Sequence, residues 1–216
     1  MDAHTAVTME TTATPAMKRA TVFLDRDGTL IEDAGYVHLA QDLVVLPGVI
    51  DGLQRLKTAG FLLVVVTNQS GVARGYYSEA VVEEFHRSLN AALGPAAAID
   101  AFYYCPYHPD ATLAEYRRDS VLRKPAIGMF EQARADFAIS PQDSYMVGDR
   151  LSDIEFGQRA GLMPVLVRTG AGRSQEHAVS DPAVLVVDDI GAAATSILLR
   201  LRTIAHSLSR QGLCLP

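Results

Sequence analysis

Two aspartates one residue apart follow a short apolar segment near the start of the sequence. Residues 22–24 read as a strand that is buried on both faces, and Asp25 and Asp27 come directly after it, before Gly28. Because alternate residues of a strand point to the same side, the two carboxylates face one way and need a balancing cation. Mg²⁺ prefers oxygen ligands of this kind, so the spacing indicates a magnesium site.

Two other interpretations of this pair have to be considered. A calcium loop of the EF-hand type has its glycine at the sixth position and a glutamate at the twelfth, whereas Gly28 is fourth when counted from Asp25. The sequence therefore disfavours a calcium loop. A solvated turn after a strand is the second alternative, and the pair taken alone leaves it open.

Further polar residues follow predicted strands later in the chain. They come after the strands predicted over residues 61–66, 99–104 and 145–147, and they are Thr67, Asn68, Lys124, Asp149 and Asp153. Because parallel strands bring their carboxyl ends to one edge of a sheet, we expect all these groups to form one site. Carboxylates, a lysine and a hydroxyl together suit a phosphoryl group with bound Mg²⁺.

Strands and helices alternate along the whole chain. Apolar segments that read as strands also cover residues 163–167 and 184–187, and a closing amphipathic helix covers about 190–208. The alternation predicts an α/β fold with a doubly wound, mainly parallel, Rossmann-like sheet. Residues 30–46 are predicted to form a small β flap, and the short insertions after the first and third strands leave no room for a large cap domain.

Composition limits the organisation and partners of the 216-residue chain. We predict a disordered extension over residues 1–18, one domain over 19–209 and a tail over 210–216. The net charge of −6 disfavours nucleic-acid binding, and no apolar run approaches the roughly 18 residues that a membrane helix needs. The distant Cys105 and Cys214 disfavour a disulfide framework and indicate the cytoplasm, where we expect a monomer.

The order of these motifs resembles the haloacid dehalogenase superfamily of phosphohydrolases. The resemblance rests on Asp-Xaa-Asp-Gly-Thr at 25–29, Thr67 after a strand, Lys-Pro at 124–125, and Gly-Asp with a further aspartate at 148–153. Residues 66–75, 103–106 and 145–149 are similar, more narrowly, to the branch that contains heptose bisphosphate phosphatases and histidinol-phosphatases. The match extends from about residue 20 to residue 170.

The resemblance implies a phosphomonoester hydrolase that acts through an aspartyl-phosphate. Asp25 would be the nucleophile, and Asp27 would protonate the departing oxygen and later accept a proton from water. Lys124 and the Thr67 hydroxyl would hold the phosphoryl oxygens. Taken singly, Lys124 could also be a solvated lysine before a helix, and Thr67 could be a plain strand residue.

The resemblance also implies a metal site and a substrate site. The expected Mg²⁺ ligands are Asp25, Asp149 and the backbone carbonyl of Asp27, while Asp153 would orient ligand waters or Lys124. Arg123 would contact a second anionic group of the substrate, which suits its planar guanidinium. Additional substrate contacts are expected from Asn68, Arg74, Asp33 and Tyr36, and for the last three a purely structural role stays open.

The implied reaction is removal of the 7-phosphate of D-glycero-D-manno-heptose 1,7-bisphosphate, a step towards nucleotide-activated heptose for surface polysaccharide. Within the class, the alternative substrate is another small sugar phosphate or histidinol phosphate. Histidinol phosphate presents an amine and an imidazole in place of a second phosphate, so Arg123 argues against it. From another class, a phosphate-binding protein without turnover is disfavoured because every catalytic group is present.

One loop departs from the pattern of the branch, in which many members hold a structural zinc with a Cys-Xaa-His pair and a later Cys-Xaa-Cys pair. Cys105 is present here, but Tyr107, Ser120 and Leu122 stand where the other ligands would be. Cys105 and His108 alone cannot close a tetrahedral site. We therefore predict no structural zinc.

Overall fold

Apolar segments of the sequence form one parallel sheet in the structure, a computed structural model that describes residues 18–210. The strands are β1 (Thr21–Leu24), β2 (Leu62–Asn68), β3 (Ala101–Cys105), β4 (Tyr145–Gly148), β5 (Met163–Val167) and β6 (Leu185–Val187). Their order in the sheet is β3-β2-β1-β4-β5-β6, and every neighbouring pair is parallel. This arrangement confirms the predicted fold class.

Helices connect the strands and cover both faces of the sheet. They are α1 (Val49–Thr58), α2 (Ser70–Ala73), α3 (Glu79–Leu93), α4 (Gly128–Asp136), α5 (Leu151–Arg159), α6 (Gly172–Gln175) and α7 (Ile190–Arg210). In the described part of the chain, no helix combines the length and the apolar character that crossing a membrane requires.

Side chains of successive strand residues pack into different layers. Val22 and Leu24 of β1 belong to the apolar cluster that α1, α3 and α7 share, whereas Phe23 between them packs with residues of α4 and α5. All four residues of β1 are buried. Because β1 lies between β2 and β4, the residues that follow it start at the centre of the sheet edge.

The connection between β1 and α1 contains the predicted flap, residues 30–46. It is held by isolated bridges, among them the pair of Ile31 with Val45, and it includes a 3-10 helix over Ala40–Asp42. At its tip Gly35 and Tyr36 both have positive φ, at 80° and 54°. The flap is therefore an irregular loop whose two ends are joined by the bridge between Ile31 and Val45.

Some strand boundaries differ from the sequence prediction by one or two residues. Strand β2 begins at Leu62, where residue 61 was predicted, and β3 begins at Ala101, where residue 99 was predicted. The predicted extension over 1–18 lies, apart from Lys18, outside the described residues, and so does the tail after Arg210. The domain limits stay a prediction.

Candidate active site

Three buried aspartates converge at the carboxyl edge of the sheet. Asp25 continues β1, and its backbone N–H donates to the Val147 carbonyl of β4 over 2.9 Å. Carboxylate oxygens of Asp25, Asp149 and Asp153 all lie within 4.8 Å of one another. The sheet therefore brings together the groups that the sequence analysis had placed after β1 and β4.

The Asp149 carboxylate is held in a narrow cradle. The Ala171 N–H donates to its Oδ2 over 2.8 Å, and the Thr29 hydroxyl lies 3.4 Å from its Oδ1. Gly28 and Gly170, with φ of 82° and 53°, lie so close that a Cβ on either would collide with the carboxylate. Both positions therefore need glycine, for the backbone conformation and for space.

Lys124 bridges two of the three aspartates. Its Nζ lies 2.7 Å from Oδ1 of Asp25 and 2.6 Å from Oδ1 of Asp153, and the lysine is buried. The Asn68 side chain pairs with the Lys124 backbone: its Oδ1 accepts from the N–H over 3.0 Å and its Nδ2 donates to the carbonyl over 3.2 Å. Asn68 was predicted to bind substrate. In the structure its side-chain amide also holds the Lys124 backbone.

Burial of so many charges perturbs their titration. Burial and the Asp25 carboxylate raise the pKa of Asp149 to about 7. Burial raises the pKa of Asp153 to about 6, although Lys124 opposes this shift. Burial works against the ammonium of Lys124, but the Asp153 and Asp25 carboxylates outweigh it and hold the pKa of Lys124 above its usual value. The lysine stays charged.

This donor set fits a divalent metal ion. Three buried carboxylates face one ammonium, so the cluster has an excess of negative charge that a cation would balance. All its metal-binding atoms are oxygens, which favours a hard cation. Among the residues that the structure describes, the Asp27 carboxylate does not belong to the group formed by Asp25, Asp149 and Asp153.

The Asp27 side chain is engaged with other groups. Arg26 donates to its Oδ1 from Nη2 over 2.7 Å and from Nε over 3.0 Å, and Gln69 Nε2 donates to its Oδ2 over 2.8 Å. Burial raises the pKa of Asp27, and Arg26 acts in the opposite direction. A raised pKa suits a carboxyl group that has to give up a proton.

Sequence reasoning missed Arg26, Gln69 and Tyr77. Arg26 is 1% exposed and lies over the Phe85 ring, 4.6 Å from its centroid. A signal for it existed, because an arginine at the end of a central strand is expected to be buried and then requires acceptors. Gln69 and Tyr77 carried no such signal, since their contacts depend on side-chain directions after β2 and in the segment between α2 and α3.

A cleft of about 480 Å³ opens above the aspartates. The predicted site residues that line it are Asp25, Asp27, Asp33, Tyr36, Thr67, Asn68, Arg123, Lys124 and Asp153. Asp33 of the flap forms an ion pair of 2.9 Å with Arg150, which also lines the cleft and which the sequence analysis did not select. The flap is thus tied to the segment that follows β4.

Arg74 takes a different position from the other residues that were predicted to bind substrate. In the described residues it is not among the side chains that line the cleft, and its guanidinium lies over the Tyr36 ring, 5.9 Å from the centroid. It can therefore support Tyr36. Arg123 lines the cleft, half-buried, with Nη1 3.5 Å from the Tyr107 carbonyl oxygen.

The loop after β3 is packed through tyrosines and arginines. The Arg118 guanidinium lies 3.6 Å from the centroid of the Tyr107 ring. The hydroxyls of Tyr104 and Tyr116 both donate to the Glu79 carboxylate, over 2.9 and 3.0 Å. Cys105 at the start of the loop is buried. The absence of a structural zinc stays a prediction.

Comparison with known proteins agrees with this geometry. A sequence model of the HAD-hydrolase-like family matches residues 121–193. The chain is 45% identical over 163 residues to D-glycero-beta-D-manno-heptose-1,7-bisphosphate 7-phosphatase of Haemophilus ducreyi, a match that covers 74% of this chain and 89% of the relative. The protein of the same name from Escherichia coli K12 is 45% identical over 151 residues, which cover 69% of this chain and 79% of the relative.

A solved structure leads to the same family. The D,D-heptose 1.7-bisphosphate phosphatase from B. bronchiseptica, crystallised with magnesium and phosphate, superposes with a TM-score of 0.73 at 32% identity. The superposition covers 85% of this chain and 99% of the other. The chain therefore belongs to the heptose bisphosphate phosphatases of the haloacid dehalogenase-like hydrolases, and it is a phosphoric monoester hydrolase.

Proposed function

We propose that the chain removes the 7-phosphate of D-glycero-β-D-manno-heptose 1,7-bisphosphate with Mg²⁺ as its cofactor. The observation that carries this proposal is the convergence of Asp25, Lys124 and Asp149 at one sheet edge of a chain 45% identical to enzymes named for that reaction. The anomer is taken from the names of those relatives.

In the first step Asp25 attacks the phosphorus of the 7-phosphate. The new bond joins a carboxylate oxygen of Asp25 to phosphorus, and the bond from phosphorus to the sugar oxygen breaks. Asp27 gives its proton to that departing oxygen, so the sugar leaves as an alcohol. The raised pKa of Asp27 supports this assignment, because the carboxyl must hold a proton when the ester breaks.

In the second step a water molecule attacks the phosphorus of the aspartyl-phosphate. Asp27, now ionised, accepts a proton from that water, and the bond between phosphorus and Asp25 breaks. Inorganic phosphate leaves, Asp25 is again a carboxylate, and Asp27 is again protonated. The close approach of both residues to the cleft supports these paired roles.

Charge on the phosphoryl oxygens is stabilised by Lys124 and by the Thr67 hydroxyl. Preorganised donors of this kind contribute about 3 kcal/mol each to the transition state of acyl transfer, and we expect a similar order here. Mg²⁺, held by Asp25, Asp149 and the Asp27 carbonyl oxygen, would neutralise negative charge on the same phosphoryl group. Asp153 holds the Lys124 ammonium in place through an ion pair of 2.6 Å.

We propose that Arg123 binds the second phosphate of the substrate. It lines the cleft beside Lys124 and its guanidinium can hold a phosphate with two hydrogen bonds. The Arg123→Met variant should raise KM for the bisphosphate at least tenfold and leave KM for p-nitrophenyl phosphate, which has no second phosphate, within about twofold. Equal effects on both substrates would remove Arg123 from this role.

The decisive experiment measures phosphate release from three substrates in the presence of Mg²⁺. We expect kcat/KM to be highest for the β-heptose bisphosphate, lower for the α anomer and lowest for histidinol phosphate. A preference for histidinol phosphate would refute the proposed substrate. The Asp25→Asn variant should have no activity on any of them, and activity that survives this change would remove Asp25 from the mechanism. A monomeric state and a cytoplasmic location remain part of the proposal.

A further inference from the structure

Gln69 is buried, with 2% of its surface exposed, and its side-chain amide has a partner for every hydrogen bond that it can make. Its Nε2 donates to Oδ2 of Asp27 over 2.8 Å and to the Thr67 hydroxyl oxygen over 2.9 Å. Its Oε1 accepts from Arg26 Nη2 over 3.2 Å and from the Tyr77 hydroxyl over 2.9 Å. Gln69 therefore connects two groups of the proposed mechanism.

The chemistry of these partners fixes which way the amide points. A guanidinium can only donate, so Arg26 must face the amide oxygen, and the amide nitrogen then faces Oδ2 of Asp27. Burial raises the pKa of Tyr77 to about 12, so its hydroxyl keeps a proton to donate to Oε1. The backbone is fixed as well, since the Gln69 N–H donates to the Cys105 carbonyl over 2.8 Å.

The fixed amide determines the direction of the Thr67 hydroxyl proton. Because Gln69 Nε2 can only donate, the Thr67 oxygen must accept from it, and the Thr67 proton has to point elsewhere. In the residues that the structure describes, Thr67 donates to no protein acceptor, and it lines the cleft. Its proton is thus available to a phosphoryl oxygen in the cleft.

We propose that Gln69 is a positioning residue of phosphoryl transfer, which orients the Thr67 hydroxyl as a donor and holds the Asp27 carboxyl beside it. This inference rests on the proposed function, in which Thr67 and Asp27 touch the reacting group. Gln69 forms no bond to the substrate in this role. It acts by holding the Thr67 and Asp27 side chains in one orientation through its two donated hydrogen bonds.

A double-mutant cycle tests the link through Thr67. Gln69→Met removes the amide at similar volume, and Thr67→Val removes the hydroxyl. We expect kcat for p-nitrophenyl phosphate to fall about tenfold in Gln69→Met and about hundredfold in Thr67→Val. The double variant should lose no more than about twofold beyond Thr67→Val, because Gln69 then has no hydroxyl to orient. Losses that multiply would overturn the proposal.

Two further variants separate positioning from a general loss of structure. In Tyr77→Phe the Gln69 amide oxygen loses the hydroxyl that donates to it, and we expect kcat to fall about threefold with KM unchanged. In Gln69→Glu a carboxylate replaces the donor at neutral pH, but a protonated glutamic acid can again donate. The ratio of its kcat to that of the wild type should therefore rise as the pH falls, whereas the same ratio for Gln69→Met should stay constant. A constant ratio in both variants would refute the role of the donated hydrogen bond.

The choice of substrate keeps this proposal distinct from the proposed function. The aryl phosphate requires only phosphoryl transfer, so the cycle can be read even if the wild type does not hydrolyse the heptose bisphosphate. That result would refute the heptose substrate alone. A wild type that hydrolyses neither compound would refute both proposals. The matched control replaces Gln54, an exposed glutamine of α1. The kcat of the Gln54→Met variant should equal that of the wild type.

Discussion

Lys124 Nζ lies 2.7 Å from Oδ1 of Asp25, although the two residues are 99 positions apart in the sequence. The same ammonium lies 2.6 Å from Asp153, so one buried cation holds two buried carboxylates in place. Removing it would leave both carboxylates without their main counter-charge in a site of low dielectric constant. We therefore expect the pair to serve both the stability of the fold and the proposed chemistry.

For Lys124→Met we expect kcat to fall about hundredfold, because a donor to the phosphoryl group is lost. The free energy of unfolding should fall by about 3 kcal/mol, since breaking a buried pair leaves uncompensated charge. Steady-state kinetics and urea unfolding measure the two effects. The control is Lys57→Met, in which a partly exposed pair with Asp100 is lost at a cost of about 0.5 kcal/mol. Equal destabilisation in the two variants would contradict this account.

Gly170→Ala should displace the Asp149 carboxylate, because the new methyl group would collide with it and with the backbone of Gly28. We expect the affinity for Mg²⁺ to fall about tenfold or more, as measured by calorimetric titration. Gly60→Ala is a matched control: its φ of 92° is also positive, but nothing lies within 4 Å of the added atom. That variant should lose about 1 kcal/mol of stability and bind Mg²⁺ normally. Normal Mg²⁺ affinity in Gly170→Ala would show that the cradle is not needed.

The stabilisation by Mg²⁺ should grow with pH. Burial and Asp25 raise the pKa of Asp149 to about 7 in the metal-free protein, and a cation binds the ionised carboxylate. The rise in Tm on adding Mg²⁺ should therefore be small at pH 5 and larger at pH 8, and chelation should abolish it. Asp149→Asn should show little gain at either pH. A gain that is independent of pH in the wild type would contradict the prediction.

His86 should make the protein less stable in acid. Burial, with a smaller contribution from Arg26, lowers the pKa of His86 from 6.5 to about 3. Between these values the unfolded chain binds a proton that the folded chain does not, so stability falls as the pH drops below 6.5.

Replacing the ring tests this assignment. His86 stacks on Phe102 with centroids 4.5 Å apart, so His86→Phe keeps an aromatic contact and removes the titration. Urea unfolding between pH 5 and 7 should show a shallower dependence on pH in this variant than in the wild type. The exposed His177, replaced by Gln, serves as the control and should leave the dependence unchanged. An unchanged dependence in His86→Phe would refute the role of His86.

Elemental analysis of the purified protein should find zinc far below one equivalent. The loop after β3 holds its shape through side chains, among them Tyr107 against Arg118 and Tyr116 against Glu79. Stoichiometric zinc would overturn this prediction. As a positive control, the same preparation should take up Mg²⁺ at the aspartate cluster.

The meeting of these side chains at one edge of the sheet could be predicted because it follows from the strand order of a parallel sheet. Asp25, Lys124 and Asp149 each follow a strand of one parallel sheet, and such strands share an edge regardless of their distance in sequence. The strands and helices themselves could be predicted from the periodicity of apolar residues. The sequence thus predicts which residues meet, and the structure adds how their side chains are oriented.

The supporting contacts could not be predicted because they depend on rotamers and local turns. Gln69 lies two residues after Thr67, yet only the folded structure shows that its amide reaches both Thr67 and Asp27. The contact of Asn68 with the Lys124 backbone is equally invisible in a one-dimensional pattern. The flap was predicted as a unit, but the positive φ of Tyr36 belongs to a turn that its residue type does not favour.

The burial of Arg26 affects the order in which the chain folds. Its guanidinium meets the Val37 carbonyl of the flap, Gln69 after β2 and its neighbour Asp27, contributed by three separate segments. An arginine can be dehydrated at acceptable cost only when all its acceptors have arrived. Completion of the catalytic edge should thus be a late step of folding, and a fragment from which the flap is missing should retain no partial activity.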